Sequence, residues 1–294
     1  MNTSSVPDLA TIGLLGFGTM GAGIAQVMAA SGRRVVVLET DRARLDEGFA
    51  LVGASLDAGV TRGRLSENAR TSALARITGT TEIRDLAGVE AVLESVTENG
   101  ELKKALLTRV AALVGEKIPI LTNTSALSVT DLAAGLPNPA RVAGLHFFNP
   151  APAMRTVEIV RALHTGEDLV DRLFALVETL DGKDAVLVKD RPGFLVNALL
   201  MPYLNDVVQE YDDGLASAED LDAALRLGLG YKSGPLEMLD MIGLDVHLHA
   251  TEAAYRATLD PRYAPPPLLR RMVAAGMLGA KNGQGFRTGE EGGR

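Results

Sequence analysis

No cysteine and no tryptophan occur among the 294 residues, and aromatic side chains make up only 4% of them. The missing thiols exclude disulfides, thiolate-bound metals and a cysteine nucleophile, and they suit a reducing compartment. With so few rings, the core has to be built from Leu, Val, Ala and Ile. Basic residues are also scarce, 29 against 37 acidic, for a net charge of -8. That balance argues against a general nucleic-acid binder, which usually presents a basic face. It leaves room for an anionic ligand, which responds to the local field. The first ten residues show no basic stretch followed by an apolar one, so no secretion signal is expected there. Residues 11–32 carry no charge and are long enough to imitate a membrane span. Six glycines fall within that stretch, and each costs a helix roughly 1 kcal/mol relative to Ala. A soluble, cytoplasmic protein without a membrane partner is therefore expected.

What is present is an alternation of short apolar runs with longer helical stretches. Thr11–Leu15 is a compact apolar run followed by a glycine-rich turn and a small-residue helix from about Met20 to Ala30. Val35–Leu38 reads as a second buried strand. A long polar helical stretch from Asp41 to about Ala75 breaks near Arg62-Gly63-Arg64. Val89–Ser95, Ile118–Thr122 and Val142–His146 are further strand candidates, with a helix at Leu102–Val114. This order predicts an α/β unit, a parallel sheet with helices on both faces. After Val188 the composition shifts. Lys189-Asp190-Arg191-Pro192-Gly193 reads as an exposed linker, and the rest is helical: Phe194–Tyr211, Ala218–Leu229, Leu236–Leu259 and Leu268–Met277. Ser217-Ala218-Glu219-Asp220 resembles a capping box. The expected division is residues 1–188 and an all-α second domain, 189–294. The many apolar positions of that domain suggest burial against a partner subunit, and the polar tail after Phe286 reads as disordered.

Gly16-Phe17-Gly18-Thr19-Met20-Gly21 matches G-x-G-x-x-G. The first glycine permits the tight turn, the second lets a pyrophosphate approach, and the third lets helix and strand pack closely. Alone the string is weak evidence. Here it follows an apolar strand, opens a helix, and precedes a second strand ending in Glu39, whose carboxylate can take both ribose hydroxyls and repel a 2′-phosphate. Gly16, Gly18, Met20, Gly21 and Glu39 thus form a candidate NAD site on a Rossmann-type domain. Arg42 and Arg44, just past the acid, leave NADP open.

Of four histidines, His247 and His249 are two apart on an expected helix, so they face different ways and make a poor metal pair. His164 reads as a surface residue, and no metal site is expected. His146 ends a buried strand, where α/β folds place ligands. If the chain turns at Pro150–Pro152, the next strand returns alongside and Glu158 meets His146. A carboxylate so placed fixes the imidazole tautomer and stabilises the imidazolium formed on proton abstraction.

These residues sit in longer motifs: Asn123-Thr124-Ser125, His146-Phe147-Phe148-Asn149-Pro150-Ala151-Pro152, Pro192-Gly193-Phe194-Leu195-Val196-Asn197 and Gly234-Pro235-Leu236-Glu237. With the glycine-rich turn and Lys281-Asn282-Gly283-Gln284-Gly285-Phe286, they make the chain resemble the 3-hydroxyacyl-CoA dehydrogenase family over nearly its whole length. The resemblance implies NAD as cofactor and a catalytic group of Ser125, His146, Glu158 and Asn197. His146 would be the general base, Glu158 its orienting partner, and Ser125 and Asn197 the hydrogen-bonding partners of the substrate oxygen. It also implies NAD contacts at Glu98 and Lys103, CoA contacts at Ser55 and Arg62, an (S)-configured alcohol and a homodimer. For Arg62 and Arg64 a solvated helix end is the competing interpretation. The chain departs from the family at Ala126, where a second serine is usual, at Asn99-Gly100, and after Phe286, where tyrosines are missing. These departures bear on acyl specificity.

Two other functions compete. The same chemistry can act on a hydroxyacyl group carried by an acyl carrier protein, with Arg33, Arg34, Arg42, Arg62 and Arg64 as a docking patch rather than a CoA-phosphate site. A non-catalytic NAD-binding structural or sensory protein would use the same scaffold, but would be expected to have lost catalytic residues. A short-chain dehydrogenase is excluded, because none of the five tyrosines has a lysine four positions later. A β-hydroxyacid dehydrogenase would need a lysine where Asn197 stands.

Overall fold

A computed structural model describes residues 9–287. Contacts divide the chain into two units, Met1–Arg191 and Pro192–Arg294. In the first, the elements run β1 (Thr11–Leu15), α1 (Thr19–Ala30), β2 (Arg34–Leu38), α2 (Arg42–Thr61), α3 (Glu67–Leu74), β3 (Ile77–Thr80), β4 (Ala91–Glu94), α4 (Gly100–Leu113), β5 (Ile120–Thr122), α5 (Val129–Ala133), β6 (Val142–Phe147), β7 (Thr156–Arg161), α6 (Glu167–Glu178) and β8 (Asp184–Lys189). The eight strands form one sheet in the order β3-β2-β1-β4-β5-β6-β7-β8. From β3 to β6 all neighbours are parallel. β1, β4 and β5 are buried along their length, as parallel strands covered on both faces must be, which is why they read as unbroken apolar runs.

The direction reverses once, between β6 and β7, and β8 then runs parallel to β7. β3 and β8 were not among the expected strands. β3 is four residues long with a glycine inside, and β8 is a half-exposed edge strand, so neither carries a sustained apolar signal. Helix starts follow side-chain chemistry: Asp41, Ser66, Asn99 and Ser128 each accept a backbone N–H of the first turn they cap. The order 3-2-1-4-5-6 places a topological switch point at the carboxyl ends of β1 and β4, where the chain leaves one half of the sheet for the other.

The expected exposed linker begins too early. Lys189 still pairs with Arg161 in the β7–β8 ladder. Asp190 reaches back to cap α5, accepting from Val129 N at 3.1 Å, Thr130 N at 2.7 Å and the Ser128 hydroxyl at 3.0 Å. Gly193 and Phe194, beyond it, are buried.

The second unit is helical: α7 (Val196–Asp212), α8 (Ala218–Leu229), α9 (Pro235–Ile242), α10 (Leu244–Thr258) and α11 (Pro267–Ala274). Ser217 caps α8 by accepting from Asp220 N at 3.1 Å. The single helix expected over Leu236–Leu259 is two helices. Gly243 separates them at φ +99°, a conformation only glycine adopts readily. Leu204, Val208, Leu236, Leu239, Leu244 and Leu269 form the core of this unit. His247 is buried within it, with Nε2 3.0 Å from Asn205 Oδ1, and burial pushes its pKa down to about 4. It is a neutral structural histidine, whereas His249 is exposed. Apart from Arg287, the tail after Phe286 lies outside the described residues. No helix among the described residues is long and apolar enough to cross a membrane.

Candidate active site

The glycine-rich turn joins β1 to α1 at the switch point. Gly16 sits at φ +94°, and a Cβ there would lie 2.6 Å from the Ser95 carbonyl oxygen. A Cβ on Gly21 would lie 2.2 Å from Gly16 O, so helix and turn touch backbone to backbone. Gly18 is different, since a Cβ added to it would meet nothing within 4 Å. That open face, at a helix start that no side chain caps, is the space a pyrophosphate needs. The Met20 side chain packs against the core, leaving its backbone N–H, in the first turn, as what it can offer a phosphate.

Glu39, just past β2, is already oriented: its carboxylate accepts from Phe17 N at 2.7 Å and Thr40 N at 2.9 Å. It lines a cleft of about 460 Å³ with Gly16, Gly18, Ser95 and Arg44. Arg44 is 3.8 Å from Asp41 and Arg42 is 3.0 Å from Asp46, both as exposed surface pairs, which are weak; the selection against a 2′-phosphate therefore falls to the Glu39 carboxylate. These residues fit a dinucleotide.

At the carboxyl end of β6, His146 faces Glu158 across the antiparallel β6–β7 pair, in direct register. Residues opposite each other on such a pair share a face, and the side chains meet with His146 Nδ1 2.7 Å from Glu158 Oε2. Both are buried, at 4% and 0% exposure. An ionised carboxylate only accepts, so Nδ1 carries the hydrogen and Nε2 is the basic nitrogen.

Ser125 lies just beyond β5, which pairs with β6. Its backbone is held by Glu98, whose Oε1 accepts from Ser125 N and Ala126 N, both at 3.0 Å, and from the Thr124 hydroxyl. Burial alone would raise the pKa of Glu98. The Lys103 charge, with the Thr124 and Ala126 hydrogen bonds, outweighs burial and holds the pKa below the usual carboxylate value.

Lys103, expected to contact NAD, is held by protein partners in the structure. It is 1% exposed, and its ammonium lies 2.6 Å from Glu94 Oε1, 3.1 Å from Glu98 Oε2 and 3.2 Å from Val96 O. Those three partners occupy the three donors of an ammonium. The side chain thereby braces the loop that carries Glu98. Glu94, fully buried, also accepts from Val96 N and the Thr122 hydroxyl at 2.6 Å each.

Ser55 and Arg62 do come together. They line a second cavity of about 430 Å³ with Arg64, Lys183 and the turn residues Pro150 and Pro152. Asn197 lies in the second unit, as the second residue of α7.

Two further residues shape the site. Asn123 Oδ1 accepts the backbone N–H of Phe147 at 2.8 Å, tying the Ser125 turn to the His146 strand. Its signal was present in the Asn-Thr-Ser motif. Glu94 had none, because an acid at the end of an apolar strand looks like a solvated terminus.

A family model described as 3-hydroxyacyl-CoA dehydrogenase, NAD binding domain, matches residues 11–191, and the C-terminal domain model of the same family matches residues 193–289. The chain is similar to a 3-hydroxybutyryl-CoA dehydrogenase of Mycobacterium tuberculosis, 40% identical over 278 residues, covering 94% of this chain and 97% of that one. A 3-hydroxyadipyl-CoA dehydrogenase of Escherichia coli is 39% identical over 279 residues, covering 95% of this chain and 58% of its own. Among solved structures, an (S)-3-hydroxybutyryl-CoA dehydrogenase of Ralstonia eutropha superposes with a TM-score of 0.92 at 42% identity, covering 96% of this chain and all of that one.

Proposed function

The chain belongs to the 3-hydroxyacyl-CoA dehydrogenase family, and from that premise we propose that it interconverts a 3-hydroxyacyl-CoA and the 3-oxoacyl-CoA, with His146 as the acid–base group. The observation that carries this reading is the buried 2.7 Å His146–Glu158 contact at the carboxyl end of a strand whose neighbour leads into Ser125. When bound, NAD supplies the two-electron acceptor or donor. In the oxidation direction, His146 Nε2 takes the proton of the 3-hydroxyl as C3 gives up its hydrogen with the electron pair and the C3–O double bond forms. In reduction the same nitrogen returns the proton. Glu158 keeps Nδ1 protonated and offsets the positive charge that builds on the ring. Ser125 hydrogen-bonds the substrate oxygen and so helps set the direction in which the C3–H bond points, and the resemblance gives Asn197 the same kind of role; orientation of this kind supplies several kcal/mol of barrier lowering, of order 7 or more in favourable cases. Glu39 selects the unphosphorylated ribose, and Ser55 and Arg62 hold the CoA carrier at the second cavity.

The test follows NADH absorbance with acetoacetyl-CoA and with the same acyl group on an acyl carrier protein. Rapid oxidation with the CoA thioester is the expected result. Turnover on the carrier-protein substrate alone would keep the chemistry and overturn the carrier. Silence on both would overturn the acetoacetyl thioester as substrate and leave the acyl group open, with cofactor binding to be measured separately.

The helical unit further suggests self-association. Leu199 on α7 is 68% exposed, Leu227 on α8 75% and Met241 on α9 60%, and large apolar side chains of this kind support the reading if they lie in one patch. A homodimer is the proposed state, and sedimentation equilibrium is expected to give twice the chain mass of 31.0 kDa. A mass of one chain at micromolar concentration would rule it out.

A further inference from the structure

The turn between His146 and Glu158 has an electrostatic peculiarity of its own. Eight residues, 148–155, connect the last residue of β6 to the first of β7. Two of them, Pro150 and Pro152, have no N–H to give. Within the turn, Ala153 N and Met154 N both donate to Pro150 O at 3.0 Å, which leaves several carbonyls needing donors from elsewhere. Lys183, the residue just before β8, supplies them. Its Nζ donates to Ala151 O at 2.6 Å, Met154 O at 2.6 Å and Pro152 O at 3.2 Å. All three donors of the ammonium are thereby engaged.

Lys183 is 9% exposed, and no carboxylate pairs with it among the described residues. Burial pushes its pKa down. A buried cation matched only to carbonyl dipoles is a costly way to tie a surface turn, so what the turn positions becomes the question. One side of it packs on α1: a Cβ on Gly23 would lie 3.1 Å from Ala151 Cβ and 3.2 Å from Pro152 Cδ. Its far end leads directly into β7, where Thr156 pairs with Asp184. Asp184, adjacent to Lys183, donates its backbone N–H to Arg155 O at 2.9 Å. Glu158 follows only two residues after Thr156. The turn is thus clamped at its centre and at its exit by consecutive residues of one strand start.

We propose that Lys183 is a positioning residue: its ammonium pins the Ala151–Met154 turn and so holds Glu158 in register with His146. The same clamp fixes Pro150 and Pro152, which border the cavity shared with Ser55 and Arg62. Lys183 touches neither of the reacting groups and acts through the turn. This inference rests on the assignment of His146 as the acid–base group only for its kinetic readout.

Lys183→Met keeps length and bulk while removing charge and donors. Its kcat is expected to fall by roughly tenfold to a hundredfold, the scale on which an ångström of misplacement costs. NAD affinity, set at the glycine-rich turn, and the KM for the thioester, whose proposed cavity Lys183 also lines, should both stay within about twofold, a split that points to the reacting geometry rather than binding. The downfield proton resonance of the His146 Nδ1–H···Glu158 bond should broaden or vanish, and Lys183→Arg, which retains charge and donors, should restore most of both. Because the resonance is read without substrate, its loss would support the clamp even if the thioester proved to be the wrong substrate. A Lys183→Met protein that melts earlier, yet keeps the resonance and a wild-type kcat, would overturn the proposal. Should that variant not fold, Lys183→Gln decides: one amide can serve two of the three carbonyls at most, so a wild-type resonance and kcat would again overturn it.

Discussion

Replacing His146 by alanine is expected to lower kcat by roughly 10² to 10⁴, the range for loss of a positioned general base, which corresponds to about 3 to 5 kcal/mol of barrier. The expectation follows from where the imidazole sits. Its Nδ1 is committed to Glu158 at 2.7 Å in a site where both side chains are nearly inaccessible, so no water-exposed base can easily take over at Nε2. NAD affinity should be unchanged, because the glycine-rich turn and Glu39 belong to other strand ends. A fluorescence titration with NADH checks that arm while steady-state turnover of acetoacetyl-CoA checks the first. Glu158→Gln separates orientation from charge. The amide oxygen can still accept from Nδ1–H, so the tautomer survives, but the countercharge for the imidazolium is gone. An intermediate loss of kcat is expected, smaller than that of His146→Ala. If His146→Ala retained kcat within about threefold of the wild type, well short of the general-base range, His146 would be a buried structural histidine like His247. The acid–base group would then have to be sought elsewhere.

What the sequence disclosed depended on distance along the chain. The glycine-rich turn, its helix and the acid after β2 span 24 residues, Gly16 to Glu39, and each part has a local cause: sterics at Gly16 and Gly21, an uncapped helix start, an apolar strand. The His146–Glu158 meeting was deducible for a similar reason. Prolines at 150 and 152 forbid continuation and force a return, and the return strand brings position 158 opposite 146. Where partners are remote, sequence patterns were silent or misleading. Asp190 looked like a linker charge, but it caps a helix some sixty residues earlier. Lys183 shows no periodicity that would mark it as a clamp on carbonyls 29 to 32 positions away. Gly243 failed in another way, since apolar helical spacing continues on both sides and hides the break. The resemblance put Lys103 at the cofactor. The structure adds that its charge lies between two glutamates, a placement that motif matching does not disclose.

Lys103→Met should be among the most destabilising single changes in the first unit. Glu94 is 0% exposed and Lys103 1%, and removing one partner of a buried pair strands the other charge at a cost of about 3 to 5 kcal/mol. For a unit of this size each kcal/mol moves Tm by roughly 2–4 °C, so calorimetry should show a fall on the order of 6–20 °C. Glu94 keeps its bonds from Val96 N and Thr122, which favours the lower half of that range. The loss should reach function as well. Without the ammonium, only the hydrogen bonds offset the partial desolvation of Glu98, whose side chain is 37% exposed, and the carboxylate that holds the Thr124–Ala126 turn loses its charged partner. Its pKa, now lowered on folding, should move back up. The sign of the linkage follows: a carboxyl with a lowered folded-state pKa stabilises the fold above its unfolded-state value, and that contribution disappears as pH falls through the folded value. In Lys103→Met this part of the acid-side loss of stability should therefore be weaker, although the protein is less stable at neutral pH. The double variant Glu94→Gln/Lys103→Met removes both charges and keeps an acceptor for Val96 N or Thr122, so it should regain a good part of the lost Tm. A double variant no more stable than Lys103→Met would mean that packing around the lysine stem, rather than the stranded carboxylate, is what the single change destroys.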